Sequence, residues 1–306
     1  MQADPGSRTG NYAGVTGVLV LNKPSSITSR KVVDQVARLA PHSKVGHAGT
    51  LDPLATGVLI VCIGPATRLV ENLQDLPKTY RTTVRLGARS DTLDADGQIE
   101  IEPSPRIPSL HEIDQALHPL TGIIDQRPPA YSALKVQGRR AYDLARAGSP
   151  PELAPRRVRI DRIEVLQFNW PDLELEIDCG SGTYIRSIAR DVGETLGCGG
   201  FVQTLVRTRT GPFTLADAIE PALLSSESIY QYLRPALDAV GGLPRLMLDS
   251  GQVQSVAAGR RLRTQDLGAV PTDAGQVALL DPEGNLIALG EFDPAHGSIQ
   301  PRKVLI

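Results

Sequence analysis

Six apolar residues in a row, Val58-Leu59-Ile60-Val61-Cys62-Ile63, follow a loop rich in Gly, Thr and Pro. A run this short and unbroken belongs in the interior, as a buried strand or a short buried helix, and periodicity does not separate the two. The stretch before it, GHAGTLDPLATGVL from Gly46 to Leu59, adds a second constraint. Gly46 and Gly49 let the backbone bend and let another molecule come close. Pro53 fixes the backbone after Asp52 and removes a donor. One carboxylate thus sits on a stiff loop beside the core, well placed to act as nucleophile or general base. Elsewhere an Asp-Pro pair commonly closes a turn or caps a helix.

The rest of the chain reads as mixed α and β. Gly17 to Leu21 is a first strand, Asn22 to Ser26 a turn, and Ser26 or Thr28 caps a helix to about Ala40, with Val32, Val33, Val36 and Leu39 as its apolar stripe. Thr79 to Leu86 alternates as a strand does. Ser90 to Gly97 (SDTLDADG) lacks the spacing and closing Glu of a calcium loop and reads as a solvent-exposed turn. Ser109 and Glu112 form a capping box for a helix to Leu117. Arg157 to Leu166 and Leu173 to Cys179 form a β-pair, Thr183 to Leu196 a helix, Phe201 to Arg209 a strand, and helical material runs on to about Val240. Gly241-Gly242-Leu243-Pro244 is the best linker. Beyond it, Val277 to Leu280 and Leu286 to Leu289 flank the turn Asp281 to Asn285 as a β-hairpin.

At 306 residues, two domains, or one large and one small, are expected. No apolar run approaches the ~18 residues of a membrane span. The opening MQADPGSRTGNYAG lacks the apolar core of a signal peptide, so residues 1–15 read as a disordered leader. Three cysteines without metal-type spacing read as reduced thiols, which fits the cytoplasm. The net charge is only −2, but its distribution is uneven: nine basic and three acidic residues between Arg127 and Arg162 give +6 and leave −8 for the remainder. That concentration suits a polyanion, and equally a solvated arginine-rich face.

These segments, in this order, resemble the TruB family of RNA pseudouridine synthases over nearly the whole chain. VLVLNKPSSITSR, with Lys23, resembles the opening motif, the Asp52 loop the second and KTYRTTVRLG the third. PPAYSALKVQGRRAYDLARAG resembles the RNA-gripping insertion; GSGTYIRSIARDVG and LVRTRTGPF complete the catalytic part. The resemblance implies an α+β fold: a catalytic domain at 16–240 on a mixed, mainly antiparallel sheet, a basic thumb at about 125–156, and a small β-rich PUA-like RNA-binding domain at 243–306. It implies Asp52 as the catalytic aspartate, Arg186 as its partner and Tyr80 as the active-site tyrosine. Tyr184 and Leu205 would line the pocket, and His47 would fill the space left by a flipped base. Lys23, Lys135, Arg139, Arg140, Arg146 and Arg207 would bind substrate. Val206 stands where the family often has the first of two arginines, and Phe201 where it often has histidine. The implied reaction is isomerisation of the T-loop uridine of tRNA by base flipping. No metal or organic cofactor, no membrane and no obligate protein partner are expected, and the chain should act as a monomer. The same chemistry on another RNA or guided by partner proteins, a non-catalytic tRNA-folding chaperone and an Asp-dependent hydrolase are the rival readings. The last would need a second acid or a metal-ligand set near Asp52.

Overall fold

The apolar run is a strand, and its continuity has a physical cause: both of its faces are buried. In a strand successive side chains point to opposite sides. Leu59, Val61 and Ile63 join one hydrophobic cluster, while Val58, Ile60 and Cys62 join another. The computed structural model describes residues 16–132, 134–136, 138–149, 151–267 and 275–306, with the side chains of Lys135 and Arg140 outside that description. The leader 1–15 likewise lies outside the described residues.

In chain order the first part contains β1 (Gly17–Lys23), α1 (Ser29–Leu39), β2 (Val45–Ala48), β3 (Thr56–Ile63), α2 (Val70–Asp75) and β4 (Lys78–Leu86). The hairpin β5 (Ala88–Ser90) and β6 (Ile99–Ile101), α3 (Leu110–Leu117) and β7 (Gly122–Gln126) follow. Then come β8 (Lys135–Val136), β9 (Arg139–Arg140), α4 (Ala141–Arg146), β10 (Arg156–Asn169), β11 (Asp172–Cys179), α5 (Ile185–Thr195), β12 (Gly200–Thr210) and β13 (Phe213–Thr214). Among the described residues nine strands form one sheet, with the path β1-β3-β12-β4-β11-β10-β7, β2 beside β3 and β13 beside β12. Every pairing in it is antiparallel except the short parallel contact of β3 with β12, where Thr56 meets Val206 and Gly57 meets Arg207.

Local signals decide the helices. Thr28, not Ser26, caps α1 by accepting from the Lys31 amide, and Ser109 with Glu112 closes the capping box of α3. The apolar stripes of α1, α3 and α5 pack on one face of the sheet. Between Pro221 and Val240 the expected helix is replaced by three short 3-10 turns, at Pro221–Leu223, Ile229–Tyr232 and Ala236–Val240. Pro221 opens the first turn and Pro235 caps the third, and a proline at 235 disfavours helical backbone at the residue before it, so no helix runs through.

A second, five-stranded sheet comprises β14 (Arg245–Met247), β15 (Leu262–Arg263), β16 (Gln276–Leu280), β17 (Leu286–Asp293) and β18 (Ser298–Val304), with α6 (Ser250–Ala257) after β14. β16 and β17 form the expected hairpin. Ala278, Leu280, Leu286 and Leu289 share a cluster with Val18, Val20, Val58 and Ile60, so the second sheet docks on the back of β1 and β3. The polar contacts Lys303–Glu71 at 3.0 Å and Asn72–Gln276 at 3.0 Å tie it to α2.

Gly57 is the tightest point of the main sheet. Its φ is +99°, and a Cβ there would stand 2.2 Å from the Arg207 carbonyl oxygen. Gly57→Ala should therefore lower stability by roughly 2–4 kcal/mol, combining left-handed strain with overpacking. Urea unfolding of the two proteins measures this; an unchanged midpoint would mean that the β3–β12 contact yields without cost.

Candidate active site

The loop carrying Asp52 hangs between β2 and β3 and is held from two sides by buried cations. Lys23, at the end of β1, is 0% exposed, and its Nζ donates to the carbonyls of Pro24 (2.8 Å), Ile27 (2.7 Å) and Pro53 (3.1 Å). An ammonium has three donors, and these three carbonyls take them. Burial lowers the Lys23 pKa to about 8, with nearby Asp52 opposing. Arg207, on β12, donates through Nε to Val58 O at 2.7 Å and through Nη2 to Gly49 O at 3.0 Å. Ser29 closes the base of the loop, its hydroxyl accepting from the Leu51 amide and donating to the Leu51 carbonyl. Lys23 and Arg207, expected among the substrate-binding residues, thus lie inside the protein and grip the loop backbone. Arg207 also lines the cavity.

Arg186 rises from the first turn of α5 and is 5% exposed. Its Nη2 donates to Asp52 Oδ1 at 3.0 Å, and its Nε lies 2.9 Å from Asp52 Oδ2, an ion-pair contact without hydrogen-bond geometry. Nη2 also reaches the Tyr131 carbonyl at 2.9 Å, and Nη1 the Thr92 carbonyl at 2.9 Å. The far side of the guanidinium meets a second carboxylate, Asp94 Oδ2, at 3.2 Å.

Asp94 corrects the reading of Ser90 to Gly97 as an exposed turn: it is 4% exposed. Its Oδ1 accepts from Thr92 Oγ1 at 2.6 Å and from the Asp96 amide at 3.2 Å. The second acid that a hydrolase would need is therefore close by, but it is bound to the opposite side of the same arginine. Loop composition does not separate a buried aspartate from an exposed one. No local signal would have found it, because the burial of Lys23, Arg186 and Arg207 that calls for a second acid is itself set by the tertiary structure.

A cavity of about 440 Å³ opens over Asp52, within the usual range of ~300–1,000 Å³ for ligand sites. Tyr80, Tyr184, Leu205, Lys78 and Ser132 contribute to its walls. The open part of the Asp52 side chain, 35% of its surface, faces this space. Burial of the rest of the group pushes the Asp52 pKa above the ordinary carboxylate value; Arg186 opposes that shift and Asp94 adds to it. Tyr80 is buried on β4, and burial raises its pKa while the positive charge of Arg207 pulls the other way. Tyr184 stands at the N-cap of α5. Its amide donates to Gln126 Oε1 at 2.8 Å and its carbonyl accepts from Gln126 Nε2 at 3.0 Å. Gln126, absent from the sequence reading, fixes α5 to the end of β7.

His47 lies half-buried on β2, opposite Val61, beside the cavity rather than in its wall. Its Nδ1 has no hydrogen-bond partner among the described residues, and burial followed by Arg207 lowers its pKa. The thumb segment carries the β8–β9 hairpin and α4. Arg139 and Arg146 are exposed on it, and the Arg146 guanidinium covers the Tyr142 ring at 4.8 Å. Among the described residues no three His, Cys, Asp or Glu side chains cluster as a metal site requires.

Residues 37–185 match the model of the TruB family pseudouridylate synthase N-terminal domain, and residues 186–240 that of the tRNA pseudouridylate synthase B C-terminal domain. The tRNA pseudouridine synthase B of Aromatoleum aromaticum is 41% identical over 95% of this chain and 93% of its own length. That of Mycobacterium sp. (strain KMS) is 43% identical over 92% of this chain and 94% of its own. Among solved structures, a chain of a Cbf5-Nop10-Gar1 complex superposes with a TM-score of 0.72 at 26% identity, covering 95% of this chain and 85% of that one. A chain of an H/ACA RNP bound to a substrate RNA containing 2'-deoxyuridine gives 0.71 at 25% identity, covering 95% and 85%. With its two domain matches contiguous along the sequence and full-length relatives at this identity, the chain belongs to the TruB family of pseudouridine synthases.

Proposed function

We propose that the chain isomerises the T-loop uridine of tRNA (position 55 in tRNA numbering) to pseudouridine, with Asp52 as the catalytic carboxylate. The coarser statement, an enzyme that converts uridine to pseudouridine in tRNA, follows from the family and from relatives named tRNA pseudouridine synthase B. The observation that supports Asp52 as the catalytic carboxylate is its ion pair with Arg186 and its place facing a cavity walled by Tyr80, Tyr184 and Leu205.

The reaction breaks the C1′–N1 bond, turns the uracil, joins C1′ to C5, and moves a proton from C5 to N1. It needs no outside reagent. It needs a preorganised carboxylate, a confined space that retains the free base, and a means of taking the nucleotide out of its stack. Arg186 holds Asp52 in direction. The Tyr80 ring stacks on the extruded uracil and its hydroxyl moves a proton. Tyr184 and Leu205 enclose the base, and His47 takes the vacated space in the RNA. Lys135, Arg139, Arg140 and Arg146 follow the phosphates of the T-arm, and the C-terminal sheet is the PUA-like RNA-binding unit. The chain works as a monomer in the cytoplasm; no described helix is long and apolar enough to cross a membrane. Incubation with an unmodified tRNA transcript, followed by mapping of pseudouridine by position, tests the proposal. Product elsewhere than the T-loop would refute the position, and none at all would refute the activity.

Asp52→Asn should abolish isomerisation while tRNA binding stays within a few-fold, because phosphate contacts dominate affinity. Turnover by the pure variant would remove Asp52 from the chemistry. Tyr80→Phe should lose about 10²–10⁴-fold in rate and still bind, as expected when one positioned acid or base is lost. The pH profile supplies a further check. Asp52 acts ionised and its pKa is raised, so activity should fall, as pH decreases, sooner than for an ordinary aspartate. Asp94→Asn removes a charge that contributes to this rise, so the acid limb of kcat/KM should move to lower pH. A limb that stays in place would uncouple Asp94 from Asp52.

A further inference from the structure

Lys78 opens β4 two residues before Tyr80, so the two side chains share a face of the strand, and both line the Asp52 cavity. Lys78 is 7% exposed. Its Nζ donates to the Gln74 carbonyl, and among the described residues no carboxylate stands within ion-pair distance of it. Burial lowers its pKa to about 8; the nearby Arg207 pushes the same way, with Cys179 and Asp75 opposing. A buried ammonium without a counter-ion is a costly group to keep. It contrasts with Lys23, whose three donors all end on carbonyls.

The surroundings point to the missing partner. Lys78 pairs in register with Cys179, so the loop Gly180 to Thr183 begins beside it and forms the adjoining cavity wall. Gln74 and Asp75 continue that wall on the α2 side. This polar margin differs from the part walled by Tyr80, Leu205 and Ile185, which suits the base. An extruded nucleotide stays tethered on both sides, so its phosphates come to the cavity margin with it. A phosphodiester there would supply a negative charge and acceptor oxygens for the two Nζ donors left open.

We infer that Lys78 binds a phosphate flanking the extruded uridine and so positions the nucleotide over Asp52, an inference that rests on the reaction proposed above. The test uses a T-arm hairpin and two derivatives, each with a neutral methylphosphonate at one phosphate flanking the target uridine. They are assayed with the wild type, Lys78→Met and Lys78→Arg. Lys78→Met should lose about ten- to a hundred-fold in kcat/KM on the unmodified hairpin, the size expected for one charge-assisted contact. Lys78→Arg should recover part of that loss. On one of the two methylphosphonate hairpins the wild type should lose a similar factor and Lys78→Met nothing further. The thermal midpoint of Lys78→Met should equal or exceed that of the wild type, since an unpaired buried charge has gone. Equal losses by Lys78→Met on all three RNAs would overturn the inference and assign Lys78 to the base or to packing. A kcat/KM within two-fold of the wild type on the unmodified hairpin would overturn it as well. Wild-type turnover of that hairpin separates the two levels, because its absence would refute the reaction itself and the role of Lys78 with it.

Discussion

A single buried guanidinium ties this molecule together. Arg186 joins four stretches of chain that no local rule brings near one another: the Asp52 loop, the Thr92–Asp94 turn, the Tyr131 carbonyl at the root of the thumb, and its own helix α5. Leaving a charge of this kind unpaired in the interior costs several kcal/mol, roughly 3–5 when one partner is removed. The fold meets that demand with two carboxylates and two carbonyls. The result is a carboxylate, Asp52, whose direction is set before any ligand arrives, which is the arrangement that gives electrostatic preorganisation its value.

The same logic extends to the backbone around Asp52. Lys23 and Arg207 spend their donors on carbonyls of the loop and of its neighbours, so the loop is held by charge-assisted bonds from inside. The parallel contact of β3 with β12 brings Arg207 to its place, and only a residue without Cβ fits opposite it at Gly57. Sites held by such supporting contacts keep their geometry better than free loops do. Two cations that would read as RNA contacts by residue type are thus internal fastenings, and Lys78 is the buried lysine of the cavity wall with one Nζ donor on the Gln74 carbonyl and no carboxylate partner among the described residues.

The second sheet also contributes to this rigidity. It covers the outer face of β1 and of β3, the strand that follows the Asp52 loop, through a shared apolar cluster. Lys303 and Gln276 then meet α2, whose C-terminal residues Gln74 and Asp75 border the cavity. The segment called a linker, Gly241 to Pro244, crosses between two packed bodies, and the Pro244 carbonyl accepts from the Ala278 amide at 2.8 Å.

Much of this was legible in the sequence, because the signals were local. Capping residues, alternation and turn chemistry located α1, α3, the β10–β11 pair and the β16–β17 hairpin, and the motifs singled out Asp52, Tyr80 and Arg186. The doubly buried character of β3 was visible as an unbroken apolar run, although strand and helix could not be separated until its two faces had partners. What the tertiary structure alone decided were the properties that depend on distant neighbours. Asp94 belongs to a loop whose composition is that of an exposed turn, and only the approach of α5 buries it against Arg186. Lys23 and Arg207 carry the same charge as surface lysines and arginines, and only the placing of β1 and β12 on either side of β3 turns them inward. Burial is a sum over contacts far apart in the chain, whereas caps and alternation are written within a few residues. For that reason the elements and the central acid could be read from the sequence, while the electrostatic frame that holds the acid could not.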